Sequence, residues 1–393
     1  MFVHNNEIRT IRLKIVDKYY EILYCKFKFK RIDEKERVRA VTKITIKDVA
    51  QIAGVSTATV SYVINDTRPV MPEKRQRVLD AIRKTGYQPN RVAKSLRTKK
   101  TNIIGVLVED ILAFPSARII DGISKYMEGS DYQILLYNLR MLDSLFNQYD
   151  QIIHNSERIN KALSLLNYGA NVDAVIYVGM FDRDISGVIA DIKKPIVIAY
   201  STSEDKHTSC VTYENECIAK KLTEQVITLG HRRIAVITGL AHTPPSQMRM
   251  RGITKACREA GIILDGALVK NGDWESGAGY SCMKDLLEQE RDSLPTAVIV
   301  MNDLMATGAV DAIRDAGFSV PDDISVVGFD NREVSNYIFP KLTTVEIDLE
   351  EIGLKAAEVV STRLLSDNNK AIEHTSFISC KIVNRDSLKQ LRG

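Results

Sequence analysis

From Asn102 onward the chain alternates short, almost continuous apolar runs with stretches of helical periodicity, and this order most restricts how it can fold. The runs are Ile103–Val108, Ile134–Tyr137, Ala174–Val178, Ile196–Ala199, Ile234–Thr238, Val298–Met301 and Ile324–Phe329. Helical stretches separate them, among them Ala117–Met127, Glu214–Leu229, Arg251–Ala260 and Leu304–Ala316; Gly230, Gly261 and Gly317 close three helical segments. A strand apolar at consecutive positions is covered on both faces, and strands that alternate with helices form parallel sheets. Residues 101–393 exceed a single core, so an α/β body of two doubly wound parallel-sheet lobes with a ligand cleft between them is expected.

Residues 44–88 read differently, as an all-α head of three short helices. The first covers Ile46–Ala53 and breaks at Gly54, where a positive φ is wanted. Ser56 is a good N-cap for a second helix running to Asn65. Pro72 suits the first position of a third helix that Gly86 ends; Met71 is then a poor N-cap, and Val78, Leu79 and Ile82 supply the apolar face. Ala50 is small where the first two helices cross, and Val49, Val60 and Val63 can close a miniature core. This spacing is that of a helix-turn-helix. It leaves Thr57, Ala58, Ser61, Tyr62 and, one turn on, Asn65 available to base edges in a major groove. Residues 89–100 form a basic linker with two helical turns' worth of residues after an Asn90 cap.

Charge separates these parts. Residues 1–43 carry a net +6, residues 44–100 +8 and residues 101–393 −10, giving +4 for the 393-residue chain. A basic head on an acidic body fits a polyanionic partner. Residues 1–43 permit two readings: an upstream artefact ahead of a true start at Val41, or a basic DNA-contacting or partner-binding arm. No apolar stretch approaches the ~20 residues of a membrane helix, and the N-terminus lacks the order of a signal peptide, so no membrane partner and a cytoplasmic location are expected. Cys25, Cys210, Cys217, Cys257, Cys282 and Cys380 form no C-x-x-C pair, which fits reduced thiols and no metal site. Gly277-Ala-Gly279 lacks a third glycine and follows a polar loop, and no P-loop, G-x-S-x-G or H-E-x-x-H occurs. His231, just before a strand, reads as a helix-terminating residue. Neither an enzyme nor a cofactor is expected.

The segments Asp48-Val-Ala-Gln-Ile-Ala-Gly-Val-Ser56, Gly86-Tyr-Gln-Pro-Asn-Arg-Val-Ala-Lys-Ser-Leu96, Gly230-His-Arg-Arg-Ile234, Asn302-Asp-Leu-Met-Ala-Thr-Gly308, Val320-Pro-Asp-Asp-Ile-Ser-Val-Val-Gly-Phe-Asp330 and Leu342-Thr-Thr-Val345 resemble the lactose-repressor (LacI/GalR) family of bacterial transcription regulators. The resemblance spans nearly the whole chain after residue 44. It implies a homodimeric repressor whose two heads read the half-sites of a pseudo-palindromic double-stranded operator. Thr57 and Ala58 match the base-reading positions, whereas Tyr62 stands where many members carry Arg, which removes a bidentate guanine contact. Arg91–Leu96 matches a hinge helix that folds on DNA. Leu96 either wedges into the minor groove or caps the lobe behind it, Arg91, Lys94, Arg97, Lys99 and Lys100 meet phosphates, and Asn90 joins the DNA-binding set.

The body resembles periplasmic sugar-binding proteins. By that resemblance Arg251, read as opening a helix, and Asp330, beyond a strand end, bind an effector, with Asn302 and Asp303 beside them. Trp274, the sole tryptophan, covers a sugar face or anchors a core, and Phe114 lines the other wall. Two control modes stay open: a sugar or sugar derivative between the lobes, or a corepressor or phosphoprotein partner. The segment 139–155 looks longer than in other members and reads as surface elaboration. A tail after Val383 too short for a heptad helix favours a dimer over a tetramer.

Overall fold

The computed structural model describes residues 44–88, 100–141, 156–166, 171–189, 194–205, 208–365 and 374–391. The chain divides into two compact units, residues 1–91 and 92–393. The basic arm, the hinge and most of the 139–155 segment lie outside the described residues.

In the first unit, helices α1 (Ile46–Ala53), α2 (Thr57–Asn65) and α3 (Pro72–Thr85) form the head. The local signals hold. Ser56 caps α2 by accepting from Thr59 N, and Gly54 adopts a left-handed φ of 62° between α1 and α2. One further cap was not read from the sequence: Thr45 and Asp48 form a reciprocal capping box at α1. Met71 makes no side-chain cap bond to α3. The core consists of Val49, Ala50, Ala53, Val60, Val63, Val78 and Ala81. Leu79 is the departure. It is 37% exposed, because the face of α3 that meets the other helices runs through Val78 and Ala81.

The second unit carries the two lobes. The first is a parallel sheet in the order β11–β5–β4–β3–β1–β2, built from β1 (Ile103–Val108), β2 (Gln133–Asn138), β3 (Ala174–Val178), β4 (Ile196–Ala199), β5 (Thr208–Tyr213) and β11 (Thr375–Ile378). Alternate residues go to opposite faces: Val106, Val108, Ile176 and Val178 to one core cluster, Leu107, Val175 and Tyr177 to another. Both faces are therefore covered, as the continuous apolar runs require. Helices α4 (Ser116–Met127), α5 (Ser156–Ser164) and α10 (Leu349–Leu365) belong to this lobe. The second lobe is a parallel sheet in the order β7–β6–β8–β9, from β6 (Ile234–Thr238), β7 (Val269–Asn271), β8 (Ala297–Val300) and β9 (Ser325–Val327). Around it lie α6 (Asn215–Thr228), α7 (Pro244–Glu259), α8 (Ser276–Leu287) and α9 (Asp303–Asp315).

Three passages join the lobes: between β5 and α6, between β10 (Thr344–Glu346) and α10, and between β11 and β12 (Lys381–Val383). Strands β10 and β12 pair antiparallel beside them. His231 does not end a helix. Its ring is buried, with Nδ1 3.0 Å from Thr296 Oγ1 and Nε2 3.0 Å from the Lys389 carbonyl, so it fastens the returning C-terminal segment to β8. Burial lowers its pKa, which favours the neutral ring.

Candidate nucleic-acid interface and interlobe cleft

On the head, Thr57 and Ala58 are exposed at the start of α2, and Ser61, Tyr62 and Asn65 are half-buried further along. Residues 58, 61, 62 and 65 share one face by helical spacing. Asn65 Nδ2 donates to the Ser61 carbonyl at 2.8 Å, which folds its amide back on its own helix. The guanidinium of Arg68 lies 5.2 Å from the Tyr62 ring centroid. Asn90, Arg91, Lys94 and Leu96 lie outside the described residues.

In the body, the C-terminal ends of β1, β3, β4, β5, β6 and β8 converge on one interlobe cleft, the position that parallel sheets offer to ligands. The cleft encloses about 140 Å³. Four residues expected there line it: Phe114, Trp274, Asn302 and Asp330. Asn302 also caps α9, accepting from Met305 N at 2.8 Å while its amide donates to the Trp274 carbonyl at 2.8 Å. Trp274 packs against Gly239, where a Cβ would sit 2.1 Å from the indole.

Two expected residues stand elsewhere. Arg251 does not open a helix and does not line this cleft. Helix α7 begins seven residues earlier at Pro244, with two prolines in its first turn, so Arg251 falls on its outer face and pairs with Glu216 at 2.9 Å. The cleft receives Arg249 instead, two residues earlier and about 200° around the helix. Asp303 lies behind the cleft, fully buried, accepting from Thr344 Oγ1 and from the Arg332 backbone N–H, both at 2.6 Å. Burial first, and then the nearby Asp330 carboxylate, pushes its pKa up to about 8, so it is mostly protonated at neutral pH.

Arg249 is the hub that the sequence did not disclose. Its Nε donates to Asn215 Oδ1 (2.9 Å), its Nη1 to the Met301 carbonyl, and its Nη2 to Tyr213 Oη (3.1 Å) and Asp330 Oδ1 (3.3 Å). Its plane lies 3.8 Å from the Phe329 ring centroid. Asp182, also buried, accepts from Thr212 Oγ1 at 3.0 Å and Asn215 Nδ2 at 2.6 Å, and burial raises its pKa. Across the cleft Arg332 sits 4.3 Å over the Phe114 ring. Arg332 Nε and Trp274 Nε1 are buried without hydrogen-bond partners. The backbone is strained here too. Tyr200 (φ 65°), Trp274 (79°) and Asp330 (100°) are three of the eight non-glycine residues with positive φ among the described residues, and all three line the cleft. Such strain, at roughly 1–3 kcal/mol each, collects at ligand clamps.

The chain has clear relatives. Residues 45–90 match the description "Bacterial regulatory proteins, lacI family", and residues 223–388 match "Periplasmic binding protein-like domain". The HTH-type transcriptional repressor PurR of Pasteurella multocida is 34% identical over 352 residues, 88% of this chain and 98% of that protein. Catabolite control protein A of Priestia megaterium is 32% identical over 324 residues, 81% of this chain and 92% of that protein. Among solved structures, the Lac repressor dimer bound to operator and an anti-inducer superposes with a TM-score of 0.71 at 24% identity, covering 88% of this chain and 99% of that one; this likeness is of fold alone. A CelR–cellobiose complex superposes with a TM-score of 0.59 at 27% identity over 88% of this chain and 99% of that one. The chain belongs to the lacI family of bacterial regulatory proteins: it is a DNA-binding transcriptional repressor that joins a helix-turn-helix head to an effector-binding body.

Proposed function

We propose that α2 reads each half-site of a pseudo-palindromic operator through Thr57, Ala58, Ser61, Tyr62 and Asn65, and that the hinge from Asn90 through Arg91 and Lys94 to Leu96 clamps the operator centre. An effector held in the interlobe cleft controls this grip. The observation that carries the cleft assignment is the convergence of strained backbone, aromatic walls and two buried donors without hydrogen-bond partners at the strand ends. A ligand supplying acceptors to Arg332 Nε and Trp274 Nε1 would satisfy both. Closure of the lobes around it alters the first lobe, from which the hinge leads, and the coupling is reciprocal: operator changes effector affinity by the same factor.

The cleft favours a small uncharged ligand, a free sugar or a nucleobase. Asp182, Glu275 and Asp330 oppose Arg249 and Arg332, so the lining offers an anion no net positive charge, and Arg249 is already engaged by four partners. A cavity of about 150 Å³ is known to hold one benzene, and this cleft is of that size. A disaccharide would require the lobes to part.

A homodimer is supported by edge strand β2, where Leu135, Leu136 and Tyr137 are exposed in succession; another copy of the chain would cover such an edge. The whole reading places the protein in the cytoplasm. The test is a fluorescence titration of Trp274 with matched pairs: glucose and glucose 6-phosphate, ribose and ribose 5-phosphate, adenine and AMP, guanine and GMP. A saturable response to an uncharged member, with its phosphate-bearing partner far weaker, is expected. Operator binding measured with and without that compound gives the sign: release marks an inducer and tightening a corepressor. No response from any compound sinks the cleft assignment.

A further inference from the structure

We propose that Asp173 sets the point and direction at which the hinge leaves the first lobe, and thereby the half-site separation that two linked heads can grip. The inference rests on the reading in which two heads and their hinges clamp one operator. Asp173 touches neither DNA nor effector in this scheme; it is a positioning residue.

Its carboxylate holds the two residues that enter the body. Oδ1 accepts from the Thr101 N–H and the Thr101 hydroxyl, both at 2.9 Å, and Oδ2 accepts from the Asn102 N–H at 2.8 Å. Two successive backbone N–H groups aimed at one carboxylate form an anion-holding concavity. Asn102 supplies the bend, with φ at 57° in the left-handed region, just before β1 begins at Ile103. The Asn102 carbonyl accepts from Gln133 N and the Ile103 carbonyl from Asp173 N, both at 2.8 Å. The entering chain is therefore held by the start of β2 on one side, and by both backbone and side chain of Asp173 on the other. Lys194 completes the corner: its Nζ donates to the Val172 carbonyl and, at 3.1 Å, to Asn171 Oδ1. Burial lowers its pKa, and the neighbouring Asp173 charge opposes that.

This clasp ties the starts of β1 and β3, which pair in parallel. Six residues of β1 carry the chain about 20 Å to the cleft. There Phe114 follows β1, and Phe181 and Asp182 follow β3. The strands joined at the hinge end are thus the ones whose far ends wall the first-lobe side of the cleft. A rotation of that lobe passes to Thr101 without slack. With both carboxylate oxygens occupied, Thr101 has one direction in which to lead the hinge.

The test uses the full chain and an operator selected from randomised duplexes, remade with one base pair inserted or removed at its centre. Each change shifts the half-sites by about 3.4 Å and turns them by roughly 35°. Wild type is expected to lose about 100-fold or more on either change, because the avidity of two linked heads vanishes when both cannot engage. Asp173→Ala should bind the three duplexes within about 10-fold of one another, with unchanged base preferences inside each half-site. Asp173→Asn, which keeps one acceptor oxygen, should fall between. Hydrogen exchange read by mass spectrometry should quicken over residues 100–105 in Asp173→Ala, while α10 keeps its protection and reports an intact lobe.

Equal weakening on all three duplexes, with spacing discrimination retained, reduces Asp173 to a stability role and overturns the proposal. Unchanged exchange over residues 100–105 overturns the clasp. If wild type itself binds all three duplexes alike, the two-headed grip fails and the proposal with it, an outcome told apart from the others by its appearance in wild type.

Discussion

The head and the cleft solve recognition in opposite ways. The head keeps the residues proposed to read bases within one nine-residue helix, positioned by caps that lie a few residues away in sequence. The cleft gathers Phe114, Asp182, Tyr200, Arg249, Trp274 and Asp330 from strand and helix ends scattered along the body, and holds three of them in strained backbone. The head rests on seven buried side chains, and the cleft on two full lobes. A surface that must fit a regular groove can be written locally. A pocket that must enclose a small molecule and respond to it needs parts that move relative to one another, so it is written across the topology.

The contrast is broken most severely at Arg249. Arg249→Ala leaves Asp330 buried without its main counter-charge and frees Asn215, Tyr213 and the Met301 carbonyl. A loss of about 3–5 kcal/mol is expected, read as a lowered urea midpoint of the full chain by Trp274 fluorescence. A loss below 1 kcal/mol would mean that the lobes are not held by this hub.

Asp303 gives the next effect. Its folded pKa of about 8 lies above the ordinary carboxylate value of 3.8, so the folded state binds the extra proton between these values. Its contribution to stability is full below pH 4 and is lost as pH rises through 8. Relative to Asp303→Asn, wild type should lose up to ~1.4 kcal/mol per pH unit across that window. Parallel stability–pH curves for the two proteins would refute the shift.

The head answers to smaller changes. Ser56→Ala removes the α2 cap and should cost about 1 kcal/mol, whereas Met71→Ser adds a missing cap to α3 and should stabilise by about 0.5–1 kcal/mol. Hydrogen exchange of the Val60 amide would register both with opposite signs. The smallest effect belongs to Arg251→Ala. Its exposed pair with Glu216 predicts a change within about 0.5 kcal/mol. The gulf between positions 249 and 251 is the sharpest form of the comparison.

The same gulf shows what a sequence discloses. In the head, periodicity, Gly54 and Ser56 place all three helices, because the deciding interactions are within four residues. In the body, continuous apolar runs reveal β1, β3, β4 and β6 to the residue. They miss β5, whose Thr, Ser and Cys residues are all buried, and β11, where only Ser376 is. Arg249 went unseen because two prolines were not read as the start of α7, which displaced the helix face. Tyr200 and the strain at Trp274 leave no local mark, since both are imposed by neighbours distant in sequence. Trp274 and Asp330 were legible through the family resemblance, and Phe114 and Asn302 through their places after strand ends.

One pairing sets an order in time. Strand β11 (Thr375–Ile378) closes the edge of the first lobe against β5, and the second lobe waits for Ser387, Lys389 and Leu391 to bond Val326, His231 and Leu229. During synthesis at about 5–20 residues per second, the head is complete roughly 15–60 s before either lobe can be. For that interval a nascent chain displays a finished DNA-reading helix with no body to govern it. A repressor built in this order must keep the grip of one head weak and reserve tight binding for two linked heads.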